Sequence, residues 1–155
     1  MTNLDFTLTS PLSDLDNNKA PLLAITIVWH PERARVGEQF IGGAQGDVVE
    51  LNRYLPLFMR PGGEALPLGH GGISRQALRP VRDANDQITV GLPDSSMIIE
   101  INGQVANGTL RFSTDQIAAG QVITLGRAVV LCLHWMQRLP MHNAVPGLQG
   151  VGSAS

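Results

Sequence analysis

Lysine is almost missing from these 155 residues, cysteine occurs once, and aromatic residues are scarce. Each shortage excludes something. The sole lysine, Lys19, lies in a polar stretch, so there is no Walker-type loop, which needs a lysine after a glycine-rich turn to reach a phosphate chain. A single cysteine, Cys132, permits no internal disulfide; this usage fits a reducing compartment, and the cytoplasm is the simplest expectation. Charged residues make up only 15% and the formal net charge is −2. The basic surplus that grips nucleic acid is therefore lacking, and no direct nucleic-acid contact is expected. The longest apolar run near the end, Ala128 to Met136, is nine residues and contains His134. A bilayer needs roughly 20, so no membrane partner is expected. Asp5, Asp14 and Asp16, with no basic flank before an apolar stretch, argue against a secretion signal. Seven aromatics (two Trp, one Tyr, four Phe) leave little for the exposed ring platforms of a carbohydrate-binding sandwich.

What is present is apolar and heavily punctuated. Apolar residues reach 43%, which excludes a wholly disordered chain, and 17 Gly with 10 Pro favour short turns over long helices. A chain of this length buries about 70% of its extended surface, enough for one independent core. In Leu22 to Trp29, a β-branched run, Ile25, Ile27 and Trp29 share one face and Thr26 and Val28 the other. His30-Pro31-Glu32 breaks it, since Pro31 cannot donate to a ladder. Further strands are expected over Val36 to Ile41 (stopped by Gly42-Gly43), Asp47 to Arg53, Ser74 to Arg82, Gln87 to Val90, Met97 to Ile101, Val105 to Phe112, Val122 to Leu125 and Ala128 to Trp135. The last is apolar on both faces and is expected to be central in its sheet. Only Thr114 to Ala119, ended by Gly120, has a helical pattern. The fold expected is all-β, an antiparallel sandwich of about eight to eleven short strands. It would run from 22 to 136, after a flexible N-terminal lead-in over 1–21 and before a Pro/Gly-punctuated linker over 137–155.

Catalytic and metal chemistry find little support. Of four histidines, only His134 has a neighbour at ligand spacing, Cys132, and two ligands fall short of a closed zinc site. Cys132 sits between Leu131 and Leu133, the wrong setting for a nucleophile that must be exposed and near positive charge. No serine has a nucleophile-elbow frame, and Asp83 and Asp86 fall in a turn, where Asp caps backbone. No enzyme activity, cofactor or resident metal is expected. The unusual feature is arginine. It supplies ten of the eleven basic residues, and Arg53, Arg60, Arg75, Arg79 and Arg82 fall within thirty positions opposed only by Glu64. Arginine presents a planar donor fork suited to phosphate, and glycine-rich loops beside it add backbone N–H groups. The bland alternative is a charged sheet edge that deters strand pairing.

Three segments together resemble the forkhead-associated (FHA) domain, a β-sandwich of the FHA/SMAD type that binds phosphothreonine through loops at one end. Leu66-Pro-Leu-Gly-His-Gly-Gly-Ile-Ser-Arg-Gln-Ala-Leu-Arg-Pro-Val81 is similar to the family's turn into Ser-Arg-x-His and a strand. Asn102-Gly-Gln-Val-Ala-Asn-Gly108 is similar to its Asn-Gly-Thr-x-x-Asn-Gly loop. Ile117-Ala-Ala-Gly-Gln-Val-Ile-Thr-Leu-Gly126, with the strand after it, resembles its closing Leu-x-x-Gly-Asp-x-Ile-x-Leu-Gly motif. Arg53 then falls where the family has the Gly-Arg end of a phosphate-binding strand, and the resemblance spans roughly residues 22 to 136.

The resemblance implies a non-catalytic module whose partner is a phosphothreonine-containing protein or peptide. Ser74 would donate its hydroxyl to the phosphate, Arg53 would pair with it, Arg75 would stand at the rim, and Asn102 would hold the ligand backbone. Three positions depart from the pattern. Ala77 replaces the histidine that braces the serine loop, and Asn52 precedes Arg53 where the family has Gly. Counted from Asp94-Ser95-Ser96, the ligand-holding asparagine would instead be Met97, with Asn102-Gly103 as the second Asn-Gly pair; both registers stay open. The segment 145–155 resembles the entry to the AAA+ module of bacterial sigma-54-dependent transcription activators, some of which carry an FHA-like sensor at the N-terminus. An intramolecular AAA+ ATPase module is thus an implied partner. The other reading implied by Ala77 and Met97 is an FHA-like domain without phosphate binding that acts by docking or self-association.

Overall fold

The computed structural model describes residues 21–137, so most of the expected lead-in and linker lies outside the described residues. Within them, Leu23–Trp135 forms one compact unit. Nine strands are present: β1 (Leu22–Trp29), β2 (Gln39–Gly43), β3 (Arg79–Arg82), β4 (Ile88–Gly91), β5 (Ile99–Ile101), β6 (Gln104–Val105), β7 (Leu110–Phe112), β8 (Gln121–Leu125) and β9 (Val129–Met136). A 3-10 turn (Arg33–Arg35) and one helix, α1 (Thr114–Ala119), complete the described elements. One sheet has the order β2-β1-β9-β8-β5-β6 and the other β3-β4-β7. Pairing is antiparallel at β1/β2, β3/β4, β4/β7, β5/β6, β5/β8 and β8/β9. This is the antiparallel sandwich that the spacing of short strands predicts.

The core comes from strand alternation. Leu23, Ile25 and Ile27 of β1, Ile123 and Leu125 of β8, and Val129, Leu131 and Leu133 of β9 all point inward and are buried. They meet Ile88 and Val90 of β4, Phe112 of β7, and the loop residues Leu51, Phe58, Leu68, Ile73 and Leu78. Full burial of each such side chain contributes roughly 1.5–3 kcal/mol. The strand β9 is central, between β1 and β8, as its two apolar faces require. Trp29, on the face shared with buried Ile25 and Ile27, is 45% exposed because the strand ends there, ahead of the Pro31 break. At α1 the Ser113 hydroxyl accepts from Gln116 N and the Gln116 side chain accepts from Ser113 N, a reciprocal cap that fixes the helix start.

Three differences from the sequence expectation have identifiable causes. The strand expected over Val36 to Ile41 begins instead at Gln39 and runs through Gly43. A buried Arg35–Glu38 pair at 2.6 Å and Gly37 at φ +95° hold a turn before it. Gly43 is no breaker: a Cβ there would lie 2.7 Å from Leu23 Cβ, so glycine is required by close approach. The expected strand over Asp47 to Arg53 is reduced to bridges Val48↔Val81 and Leu51↔Leu78. Val49 N donates to Pro80 O (2.9 Å), but Pro80 has no N–H to return, which interrupts the ladder. The run Val105 to Phe112 divides at Asn107-Gly108, with Gly108 at φ +72°, into β6 of one sheet and β7 of the other.

Candidate functional site

The segment between the Phe58↔Leu66 bridge and β3 builds a loop from several independent ties. Leu68 and Ile73 are buried in the core and anchor it. The His30 Nε2–H donates to Leu68 O (2.9 Å) while His30 Nδ1 accepts from Glu32 N (3.0 Å), an arrangement that fixes the ring tautomer. Gly69, at φ +70°, donates its N–H to Arg53 O (2.9 Å), and His70 Nδ1 accepts from Gly72 N (2.9 Å).

Arg53 is the hub of this loop. Its backbone N donates to Ser74 O (3.1 Å), its Nε to Ile73 O (3.0 Å), and one Nη to Gly71 O (3.0 Å). The residue is partly exposed. Ser74 Oγ accepts from Gln76 N (2.9 Å), leaving its own hydroxyl hydrogen to donate, and Ser74 N donates to Met97 Sδ (3.3 Å). Ala77, 5% exposed, contributes only apolar packing, so the bracing that a histidine there would supply comes here from Arg53, His70 and Met97.

Asn52, noted in the sequence only as a departure from the family pattern, and Tyr54, which the sequence reading does not single out, complete the arrangement. Asn52 Oδ1 accepts from both Tyr54 N (2.8 Å) and Leu55 N (2.9 Å), which closes a tight Asx turn around Arg53. That turn holds Tyr54, 52% exposed, with its ring centroid 5.8 Å from Arg53 Cζ. Arg53, which would hydrogen-bond the phenolate, holds the Tyr54 hydroxyl below the usual 10.0; desolvation opposes it, and the nearby positive charge of Arg75 adds to the lowering. Arg53, Tyr54, Ser74 and Arg75 thus converge from two loops. The available sequence signal was the position of the chain's only tyrosine directly after the arginine.

The other sequence candidates go elsewhere. Asn102 (φ +50°) and Gly103 (φ +88°) form the two-residue turn of the β5/β6 hairpin. The Asn102 amide donates to Gln121 Oε1 (2.9 Å) and its oxygen accepts from Val122 N (2.9 Å). Both partners begin β8, whereas Met97 and the Gly72 carbonyl adjoin Gly126, beyond the end of that strand. Asn102 is therefore removed from Ser74 by a strand length, on the order of 15 Å. Met97 stands beside Ser74 instead, and with Leu92, Pro93, Ile99, Val105 and Ala106 it lines an open cleft of about 300 Å³. Three of the clustered arginines are otherwise occupied: Arg60 donates to the Ala34 and Val36 carbonyls, Arg79 pairs with Glu50, and buried Arg82 pairs with Asp86 beneath Trp135. Arg53 and Arg75 take part in no ion pair among the described residues.

Among the described residues, no group of three or more His, Cys, Asp or Glu side chains is placed to hold a metal. In the Cys132–His134 pair the ring is engaged: His134 Nδ1 donates to Trp135 O (3.2 Å), and Nε2 accepts from Thr26 Oγ1 (2.6 Å), which itself accepts from Gln39 Nε2 (2.9 Å). Burial pushes the Cys132 thiol above the usual 9.0, partly offset by a backbone hydrogen bond at Gln121. Native protein at pH 7.5 is therefore expected to be alkylated by iodoacetamide several-fold more slowly than the same protein in urea. Equal rates, followed by mass spectrometry, would contradict this placement.

No protein-family profile matches the sequence, and no curated protein matches it. Among solved structures, the chain is similar to the FHA domain of a hypothetical protein from Arabidopsis thaliana, with 18% identity, a TM-score of 0.56, and coverage of 78% of this chain and 91% of that one. It is also similar to the FHA domain of the CT664 protein from Chlamydia trachomatis, with 15% identity, a TM-score of 0.53, and coverage of 73% and 96% respectively. The chain therefore has the FHA-type fold.

Proposed function

We propose that this domain is a non-catalytic reader of phosphothreonine-containing proteins or peptides. The observation that carries the reading is the convergence of Arg53 and Arg75, neither in an ion pair among the described residues, on the Ser74 loop. A phosphate brings about −1.5 to −2 charges and acceptor oxygens that two guanidiniums and a hydroxyl can satisfy. An unphosphorylated threonine offers neither, so discrimination is electrostatic. The cleft beside Met97 would receive an apolar side chain of the same peptide. The backbone role assigned to Asn102 would have to be met from the Met97 segment, since Asn102 is committed to β8. In the full protein, the resemblance of 145–155 supports a cytoplasmic role in which this domain gates the AAA+ module of a sigma-54-dependent transcription activator. Among the described residues no helix is long and apolar enough to cross a membrane.

The test is an amide chemical-shift titration with pooled phosphothreonine peptides and their unphosphorylated counterparts. Saturable shifts at Ser74 and Gly72, seen only with phosphorylated pools, are expected. Ser74→Ala is expected to weaken binding about tenfold, the effect of losing one charge-assisted hydrogen bond. No phospho-dependent binding would sink the reading. The second reading, docking without phosphate, is favoured by Met97 standing beside Ser74. It requires that removing residues 1–136 from an activator containing this domain change ATPase rate without any phosphorylated partner; an unchanged rate would exclude it.

A further inference from the structure

We propose that Tyr54 is the fourth member of the anion-binding set, beside Arg53, Ser74 and Arg75, its hydroxyl donating to a phosphate oxygen that the two arginines neutralise, with Asn52 as the residue that positions it. The inference rests on the phosphate-binding reading and adds to it a group and a coupling to proton concentration.

The geometry begins with Asn52. Glycine at this place would leave the following residues free, whereas the Asn52 side chain ties down both Tyr54 N and Leu55 N, and its own backbone N donates to Leu55 O (2.8 Å). The turn fixes where Tyr54 departs from the chain, and the ring lies alongside the Arg53 guanidinium with the hydroxyl in the field of Arg75 from the opposite loop. A rigid phenol with two side-chain dihedrals loses little entropy on binding, unlike a second lysine or arginine. Half-exposed, it is free to meet a ligand.

The Arg53 guanidinium over the ring and the positive charge of Arg75 nearby also favour the ionised phenol, and this gives the proposal its signature. The charged groups acting on Tyr54 are Arg53 on its own loop and Arg75 on the facing one; no carboxylate or histidine is among them. In the free protein they hold the phenol below 10.0. A bound phosphate competes for the same guanidiniums and adds negative charge beside the hydroxyl, so it raises the phenol again. By linkage, phosphate affinity must fall as pH rises through the Tyr54 titration, because the phenolate can no longer donate and repels the ligand. Arginine does not titrate in this range, and a phosphomonoester is already a dianion above neutrality, so neither can produce that loss.

Tyr54 is the chain's only tyrosine, so absorbance of tyrosinate near 295 nm reads it directly. The free protein is expected to titrate below 10.0. Adding 50 mM inorganic phosphate, against chloride of matched ionic strength, is expected to move the midpoint upward in wild type and not in Arg75→Ala. An unmoved midpoint in wild type overturns the proposal. With an acetylated, lysine-free phosphothreonine peptide, affinity is expected to fall about tenfold between pH 7.5 and pH 10 in wild type. Tyr54→Phe, benign at a half-exposed position, is expected to bind about tenfold more weakly at pH 7.5 and to be flat with pH. Peptide binding that is flat with pH in wild type and unaffected in Tyr54→Phe overturns this inference while leaving the phosphothreonine reading intact. A phosphate-induced shift with no phosphothreonine peptide bound supports the anion site and sinks the peptide reading alone.

Discussion

Arg53→Ala is expected to reduce phosphothreonine-peptide affinity by about 100-fold or more, the effect of removing a charged, multiply bonded phosphate partner. It should also loosen the loop that presents Ser74. In that reading the guanidinium does two jobs at once: it holds the Ile73 and Gly71 carbonyls and would offer its other N–H groups to the ligand. Loss of the two carbonyl bonds is expected to cost about 1–2 kcal/mol of stability, since the freed carbonyls near the surface regain water. The backbone ties Arg53 N to Ser74 O and Gly69 N to Arg53 O do not involve the side chain, so the loop should stay attached while becoming less uniform. Arg53→Lys separates the roles. It keeps the charge but cannot span two carbonyls and a phosphate with one ammonium, and about tenfold weaker binding is expected. Calorimetry supplies the affinities, and amide exchange at Gly69 reports the loop. If Arg53→Ala binds within a few-fold of wild type, the phosphate is held somewhere else.

How much of this was legible beforehand depends on the range of the forces involved. The strand β1, the helix α1 and the strand β9 follow from alternation, a reciprocal cap and a β-branched run, all local, and the sequence reading placed them within a residue or two. The sandwich followed from the spacing of such elements. The interrupted strand near Val49 was not legible, because its cause is the missing N–H of Pro80, thirty-one positions away. The site divides the same way. Arg53, Ser74 and Arg75 are candidates on the strength of glycine-rich flanks and a motif, whereas Tyr54 joins them as a candidate only because Arg75 arrives from another loop. The place of Met97 beside Ser74 is likewise a product of packing. Asn102 had a local signal that competed with the motif: Asn-Gly between two short strands is the strongest hairpin-turn pair, and both residues adopt the positive φ that such a turn demands.

The closing motif is tied to the candidate site through a single glycine. Gly126 lies between β8 and β9 at φ +58°, and its N donates to Ile98 O (2.8 Å). A Cβ there would stand 2.4 Å from the Gly72 carbonyl oxygen and 3.5 Å from Met97 Cγ, the two residues that flank Ser74's support. Gly126→Ala therefore incurs two separate costs. A left-handed backbone costs about 1–2 kcal/mol for an alanine, and a backbone carbonyl cannot swing away as a side-chain tip would. The sum is expected to exceed about 3 kcal/mol, at the severe end for point changes, with a fall in Tm on the order of 10 °C. Gly103→Ala is the matched control, since Gly103 also has positive φ (+88°) but open space where a Cβ would go, so only the backbone cost of about 1 kcal/mol applies. The two differ in function as well. Relief of the Gly126 clash must push the Gly72 carbonyl outward, displacing the loop that Arg53 holds at Gly71 and Ile73, so the folded fraction of Gly126→Ala should bind phosphopeptide poorly, while Gly103→Ala binds normally. Thermal melts and titrations of the pair decide it: equal destabilisation, or intact binding by Gly126→Ala, would mean that the turn and the loop are not mechanically joined.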